Sequence, residues 1–89
     1  MNRVLAIVSV LGRDQKGVVA RISTYLADQD INIEDIEQRV VRGQFLMDML
    51  VDITGATVSL DELVVGLLAI GREIDMEIRV TLHNKRERP

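Results

Sequence analysis

The feature that most constrains the fold of this chain is the run VLAIVSVL at residues 4–11, which is almost continuously apolar. Side chains of an extended chain point alternately to opposite faces, so this run carries apolar residues on both faces. A strand that is buried on both faces is typical of the centre of a sheet. We therefore expect the first strand to be central.

Two later segments carry apolar residues at the spacing of an amphipathic helix. The first helix should end near residues 28–30, and its stripe comprises Val18, Val19, Ile22, Tyr25 and Leu26. The second should begin at Ser59, because Ser59 and Glu62 form a capping box. Its stripe comprises Leu60, Leu63, Val64, Leu67, Gly71 and Ile74. A glycine within that stripe, Gly71, indicates that the helix approaches the sheet closely there.

The second strand should begin at Ile31 and should be irregular. Ile31 and Ile33 share one face of an extended chain, whereas Ile36 and Val40 share the other. A strand cannot move its apolar side chains from one face to the other without an extra residue. We therefore expect a bulge or kink at Glu34–Asp35.

The remaining strands complete the order of the elements. A turn at Arg42–Gly43 should lead to a third strand over residues 45–53, and the fourth should cover residues 76–82 with Met76, Ile78, Val80 and Leu82 inward. The order βαββαβ predicts an α+β, ferredoxin-like fold. Right-handed crossovers place both helices on one face of its four-stranded antiparallel sheet. We expect one domain over residues 1–84 and a charged, solvated tail at residues 85–89.

Composition argues against several classes of function. The net charge is −3 and the basic residues are scattered, which does not suit a nucleic-acid partner. Tyr25 and Phe45 are the only aromatic residues, too few for the stacking surface of an RNA-binding sheet. The apolar run at residues 4–11 is too short to span a membrane and lacks a cleavage pattern after it. We expect no membrane partner and a cytoplasmic location, which the absence of cysteine also fits.

Catalysis and metal binding are not expected from these residues. His83 is the single histidine, and no cysteine or second histidine is present to form a nucleophile–base pair with it. Asp48 and Asp52 would lie about 13 Å apart on a strand, too far for one metal or an acid–base pair. Glu34, Asp35 and Glu37 are interpreted as a solvated face. No cofactor and no metal are therefore expected.

The segment LGRDQKGVVARI, residues 11–22, joins the first strand to the first helix. Free amides at a helix N-terminus favour an anionic group. Gly12 and Gly17 would let a ligand approach the backbone, and Asp14 would hold an ammonium group. The alternative is that Asp14 only caps the helix and that the glycines only serve the turn.

One family with a similar loop is the acylphosphatases, in which an arginine of the first loop binds the acyl phosphate. The similar residues are Gly12, Gln15, Gly17, Val18 and Arg21. Lys16 is an extra residue relative to that motif, and Ala20 replaces a phenylalanine. The tryptophan-containing segment with the catalytic asparagine has no counterpart. A hydrolase that uses Arg21 stays as an alternative function.

The same segment resembles the ACT domain over a much longer stretch. Residues 12–22 are similar to the signature Gly/x-x-Asp-x-Pro-Gly followed by two aliphatic residues and an isoleucine, with Lys16 at the usual proline. Residues 31–33 resemble the start of the second strand in this family, and the likeness covers essentially the whole chain. The Asp-Gln-Lys-Gly form is especially similar to the regulatory domain of formyltetrahydrofolate deformylase, and phosphoserine phosphatase and the glycine-cleavage repressor carry similar domains.

The resemblance implies a site for a small molecule, usually an amino acid, at the interface of two paired domains. The first loop and the start of the second strand line this site in the family, which corresponds here to Gly12, Asp14, Gly17, Val18, Asn32 and Ile33. The implied function is that of a non-enzymatic regulatory or sensor domain that acts allosterically. Whether its partner is a regulated enzyme or another regulator is left open. Asn32 has the alternative role of a turn residue at strand entry. A structural scaffold with a degenerate ligand site is a further alternative.

An apolar patch on the helix-free face predicts self-association. By parity, Leu5, Ile7, Leu46 and Leu50 lie on that face, surrounded by Glu37, Arg39, Asp48 and Asp52. Such a rimmed patch, on a domain that buries little surface by itself, predicts a homodimer or higher homo-oligomer.

Overall fold

The computed structural model describes residues 3–83, so the predicted tail at residues 85–89 lies outside the described residues. The elements are β1 (Leu5–Arg13), α1 (Val18–Asp28), β2 (Asn32–Val41), β3 (Gln44–Asp52), α2 (Leu60–Ile74) and β4 (Met76–His83). Every strand pair is antiparallel, and the order across the sheet is β2-β3-β1-β4. The predicted ferredoxin-like fold, with β1 as an inner strand, is confirmed.

One face of the sheet carries the helices and holds the core. The buried side chains include Ala6, Val8 and Val10 of β1, Met47, Met49 and Val51 of β3, Ile22 and Leu26 of α1, and Leu63, Leu67 and Ile70 of α2. The predicted stripe of α1 therefore faces the sheet. The predicted stripe of α2 does so except for Leu60, which is 36% exposed, and it omits the core residue Ile70. Burial of one such side chain stabilises the fold by about 1.5–3 kcal/mol.

The predicted bulge in β2 is confirmed. The pairing register of β2 with β3 shifts between Ile33 and Asp35, which leaves Glu34 as the extra residue. Beyond the bulge, Ile36 lies opposite Met49 and again faces the helix side. β2 is an edge strand whose side chains are exposed except for the half-buried Ile33.

The predicted turn between β2 and β3 is also confirmed. Arg42 has φ 53° and Gly43 has φ 80°, so both central residues of the two-residue turn are left-handed. A turn of this kind matches the twist of the strands that it joins. It fixes the register in which Val41 pairs with Gln44.

Two details of the prediction are wrong. β1 continues through Gly12 and Arg13 instead of ending at Leu11, so the connection to α1 is only four residues long. Leu82 is not inward: it is 52% exposed although it pairs with Ala6, since β4 is an edge strand.

Helix α2 is fixed at its start and in its middle by two features that the sequence predicts. Ser59 Oγ accepts a hydrogen bond from the Glu62 N–H at 3.1 Å, and Glu62 Oε1 accepts one from the Ser59 N–H at 2.8 Å. Gly71 is buried against β4, where an added Cβ would lie 2.6 Å from the carbonyl oxygen of Met76. The close approach of α2 to the sheet is thereby confirmed.

We predict that Gly71→Ala lowers the free energy of unfolding by about 1–3 kcal/mol, because overpacking against backbone outweighs the higher helix propensity of alanine. Urea denaturation followed by circular dichroism measures this change. Gly55→Ala is the matched control, since a Cβ at Gly55 meets nothing within 4 Å. Equal stabilities for the two variants would show that α2 moves away from β4 without cost.

Candidate functional site

The connection between β1 and α1 leaves the N-terminus of α1 open. Gly17 is the N-cap residue with φ 84°, and within the described chain no side chain accepts a hydrogen bond at this cap. The first turn of α1 also contains no acidic residue. The amides there therefore keep their capacity to bind an anionic group, which the helix dipole favours. The alternative in which Asp14 caps the helix is wrong for this structure.

The short connection between β1 and α1 is hydrogen-bonded to two other parts of the chain. The Asp14 N–H donates to the carbonyl oxygen of Gly43 at 2.8 Å, which ties the segment to the β2–β3 turn. Gln15 Nε2 donates to the carbonyl oxygen of Ile74 at 2.6 Å, which satisfies a carbonyl group at the end of α2. The sequence does not predict this bond, because a bond to a distant backbone atom leaves no local pattern. The exposed Asp14 side chain is thus presented on an anchored backbone.

Gly12 has a structural reason to be a glycine. It lies in β1 between Phe45 and Met76, and an added Cβ would clash with the Met76 side chain and lie 3.2 Å from the Asp75 carbonyl oxygen. The lack of a side chain at Gly12 therefore allows β4 to begin close to β1. Val18, the first residue of α1, is buried in the core. The side chain of Val18 is therefore closed to a ligand, and Gly12 is paired with a strand on each side.

Asn32 and Ile33 lie at the start of β2, in a cluster of charged side chains. Asn32 Nδ2 donates to Glu34 Oε2 at 2.8 Å. Arg3 bridges this cluster, with Nη2 at 2.7 Å from Glu34 Oε1 and Nε at 3.2 Å from Asp52 Oδ2. Ile33 faces the helix side and is half-buried. The predicted turn role of Asn32 is not what the strand geometry shows, because Asn32 already pairs with Asp52 in the ladder.

The hydrogen bonds of this cluster lower two pKa values. The pKa of Glu34 lies below its ordinary value mainly because of the hydrogen bond from Asn32, with a smaller contribution from Arg3. The pKa of Asp52 is lowered chiefly by hydrogen bonds from the side chain and backbone of Thr54. Both carboxylates therefore stay ionised at neutral pH.

The structure does not bring the two groups of predicted residues together within one chain. Arg13 pairs with Gln44, which pairs with Val41, whereas Asn32 pairs with Asp52 at the opposite end of the sheet. Eight residue steps along β3 separate these ends, which corresponds to about 27 Å. Gly12, Asp14, Gly17 and Val18 thus lie at one end of the sheet, and Asn32 and Ile33 lie at the other.

Arg21, the candidate of the alternative hydrolase, is engaged in an ion pair. Its Nε and Nη2 donate to the two carboxylate oxygens of Glu73 on α2, at 2.8 and 2.9 Å. These bonds raise the pKa of Arg21 and lower the pKa of Glu73. The guanidinium therefore links the two helices on the protein surface, where Glu73 already occupies its bidentate face.

A groove of about 830 Å³ lies on the sheet face opposite the helices. Its lining includes Ser9, Leu11, Glu37, Asp48 and Arg79. The predicted apolar patch belongs to the same face, but it is less exposed than parity alone indicates. Leu5 is buried, Ile7 and Leu50 are half-buried, and Leu46 is 36% exposed.

Two further observations concern the described chain as a whole. Neither α1 nor α2, the helices within residues 3–83, has the length and apolar character that crossing a bilayer requires. Over the same residues, no group of three or more acidic, histidine or cysteine side chains is placed to hold a metal ion.

Comparison with known proteins identifies similar chains. The family model described as the ACT domain matches residues 5–81. The UPF0237 protein MK1213 of Methanopyrus kandleri is 45% identical over 75 residues, which cover 84% of this chain and 83% of that protein. An ACT domain protein from Streptococcus pneumoniae has a similar structure, with a TM-score of 0.80, 30% identity and 91% coverage of both chains. A formyltetrahydrofolate deformylase from Pseudomonas syringae shares the fold with a TM-score of 0.82 at 22% identity, over 98% of this chain and 30% of that one.

We predict that Asn32→Ala raises the pKa of Glu34 toward its ordinary value, because the hydrogen bond that contributes most to the lowered pKa is lost. A carboxyl group with a lowered folded-state pKa stabilises the fold above its unfolded-state pKa, and this contribution disappears as the pH falls through the folded-state pKa. The variant should therefore lose less stability than the wild type on acidification. Carboxyl-detected NMR titration measures the pKa.

Glu73 is the internal control in the same titration. Its lowered pKa depends first on the hydrogen bonds from Arg21, so it should not change in Asn32→Ala. An unchanged Glu34 pKa in the variant would mean that Asn32 does not bind Glu34 in solution.

Proposed function

The chain belongs to the ACT domain family, whose members are generally ligand-binding regulatory domains, and we propose that it is a homo-oligomeric sensor whose ligand is an amino acid. The observation that carries this proposal is the uncapped N-terminus of α1 beside an exposed carboxylate, Asp14. An amino acid carries both complementary charges. Its carboxylate suits the free amides that follow Gly17, and its ammonium group suits Asp14.

The register of the sheet determines how Asn32 joins this site. In one chain, Asn32 and the β1–α1 connection lie at opposite ends of the sheet. If two copies pair along their β2 edges in antiparallel fashion, the start of β2 in one copy lies beside the end of β2 in the other. That end is Val41, next to the turn at Gly43 to which Asp14 is hydrogen-bonded. We therefore place Gly12, Asp14, Gly17 and Val18 of one copy with Asn32 and Ile33 of a second copy.

The exposed edge of β2 supports this pairing. β2 has ten residues, lies at the edge of the sheet and carries exposed apolar side chains at Ile36, Val40 and Val41. A long edge strand with unpaired backbone groups is a template for pairing with another chain. Asn32 donates one N–H to Glu34, and its amide has a second N–H and a carbonyl oxygen for the ligand.

The geometry also argues against one of the two alternative functions. A hydrolase that uses Arg21 would have to break the bidentate bond to Glu73 before the guanidinium reached a phosphate. A scaffold with a degenerate site stays the second alternative, and it predicts no binding of an amino acid at this segment. We expect no catalytic role for this chain.

We predict that one or more of the twenty amino acids raises the melting temperature in a thermal-shift screen, because a ligand at about 100 times its Kd adds about 2.7 kcal/mol to the free energy of unfolding. Isothermal titration with the amino acid that gives the largest shift then measures affinity. Asn32→Ala should weaken its binding by about 1–3 kcal/mol, since a desolvated ligand group is left unpaired.

Gly17→Leu should abolish binding, because its side chain would occupy the space next to the free amides. The variant should also lose about 1 kcal/mol or more of stability, because φ is 84° at this position. Gly43→Leu is the matched control for the loss of stability alone: φ is 80° there, and as at Gly17 an added Cβ meets nothing within 4 Å. If Gly17→Leu and Asn32→Ala both bind as tightly as the wild type, this segment is only a turn and the proposed site is wrong.

We expect the protein not to hydrolyse acetyl phosphate, since Arg21 is held by Glu73. A colorimetric assay for released phosphate measures the rate. Turnover that Arg21→Ala abolishes, while circular dichroism shows an intact fold, would instead assign the hydrolase function.

A further inference from the structure

The sheet face opposite α1 and α2, which we call the open face, carries no covering element within residues 3–83. Side chains on this face form rows that cross the strands in the order β2, β3, β1, β4. One row consists of Glu37, Asp48, Ser9 and Arg79. The next row, toward the β1–α1 connection, consists of Arg39, Leu46, Leu11 and Glu77.

Charge is distributed unevenly between the two halves of the open face. The β2–β3 half carries the carboxylates of Asp35, Glu37, Asp48 and Asp52, with that of Glu34 at the bulge. Against them stand Arg39 and Arg3, which bridges Glu34 and Asp52. The β1–β4 half carries one carboxylate, Glu77, two cations, Arg13 and Arg79, and the hydroxyl groups of Ser9 and Thr81. One half is therefore acidic, and the other carries a net positive charge.

Two packed sheets keep their strands nearly aligned, so two simple two-fold arrangements are available to a pair of open faces. A two-fold axis across the strands places β2 of one copy over β2 of the other. When this axis is centred on the Ser9 row, Glu37, Asp48 and Arg79 each face the same residue of the second copy. Like charges in contact are costly. Centred midway between the two rows, the same axis joins opposite charges at the edges but sets Leu46 against Asp48 and Leu11 against Ser9. Polar groups then face apolar side chains, so both registers are disfavoured.

A two-fold axis along the strands, midway between β3 and β1, gives the opposite result. It places β2 of one copy over β4 of the other and β3 over β1. Each row of side chains then lies over the same row of the second copy. Glu37 then faces Arg79 of the second copy, and Arg39 faces Glu77 of the second copy. Because the arrangement is symmetric, each of these contacts occurs twice, and all four join opposite charges.

The apolar and hydroxyl side chains of the open face match under the same axis. Leu46, which is 36% exposed, faces Leu11, which is 42% exposed. Leu50 faces Ile7, and the carboxylate of Asp48 faces the hydroxyl group of Ser9. Every type of side chain in these rows thus meets a suitable partner.

We infer that the open face binds a second copy of this chain about a two-fold axis parallel to the strands. Four strands of about nine residues span roughly 19 by 30 Å, so the two copies together cover over ~1,000 Å², which a specific interface requires. Glu77 and Arg79 form an ion pair within β4 at 3.3 Å, but their side chains are 65% and 73% exposed. Such an exposed ion pair contributes little to stability. Glu77 and Arg79 can therefore exchange it for ion pairs with the second copy at little cost.

This interface is distinct from pairing along β2. The two-fold axis of edge pairing stands perpendicular to the sheet beyond β2, and it does not intersect the axis proposed here. Two such axes together generate an open-ended ribbon instead of a closed tetramer. The mass of the assembly therefore shows which of the two contacts forms.

The experiment compares the mass of the wild type and of charge-exchange variants by sedimentation equilibrium. Glu77→Arg/Arg79→Glu keeps the net charge and the ion pair within β4, but it sets like charges against each other at all four contacts. It lies at the opposite edge of the sheet from β2, so edge pairing is not affected. We expect the open-face dissociation constant to rise by at least about 100-fold.

The matched control adds Glu37→Arg/Arg39→Glu to the same chain. The fourfold variant restores opposite charges at every contact and should recover the mass of the wild type. A dimeric wild type that becomes monomeric in Glu77→Arg/Arg79→Glu supports the open-face interface and argues against edge pairing. If the wild type forms an open-ended ribbon and Glu77→Arg/Arg79→Glu forms dimers, both contacts are supported.

Three outcomes overturn the inference. They are a monomeric wild type, a mass that Glu77→Arg/Arg79→Glu does not change, and a fourfold variant that fails to reassociate although circular dichroism shows it folded. If the wild type is a dimer in all variants, edge pairing alone accounts for it, and the proposed ligand site stands without the open-face contact.

Discussion

The pairing of β1 with β3 on one side and with β4 on the other fixes the position of almost every other residue. Because β1 is apolar at both parities, one set of its side chains enters the core under the helices and the other set forms the centre of the open face. The register of its neighbours then decides which charged residues surround that centre. At Gly12 an added methyl group would collide with the side chain of Met76, because the start of β4 lies against this position of β1.

The bulge at Glu34 separates two parts of β2 whose side chains have different surroundings. Before the bulge, Asn32 faces the open side and joins a cluster with Arg3 and Glu34. After the bulge, the carboxylates of Asp35 and Glu37 face the same side, while Ile36 faces the helices. Without one extra residue, Ile33 and Ile36 could not both face the helix side. The residue that keeps both isoleucines on that side therefore also gives the open face its acidic half.

Much of this was predictable from the sequence because it depends on local patterns. The capping box of α2, the glycine at Gly71 and the parity change in β2 each have one physical explanation, and the structure confirms all three. The exposure of Leu82 and the role of Gly12 were not predictable, because they depend on which strands lie at an edge and how near a distant strand comes. The ion pair between Arg21 and Glu73 spans 52 positions in the sequence, so no periodic pattern indicates it.

The placement of the proposed site residues at opposite ends of one sheet has a physical consequence for regulation. A ligand that is held by the β1–α1 connection of one copy and by Asn32 of another binds completely only when the two copies are paired. Ligand concentration and protein concentration then act on the same equilibrium, because whatever binds the paired state preferentially increases its population. The concentration of a small molecule thereby controls the association of the two copies. The affinity of the two copies for each other must change by the same factor as their affinity for the ligand. A domain of 89 residues can act as a sensor by this coupling alone.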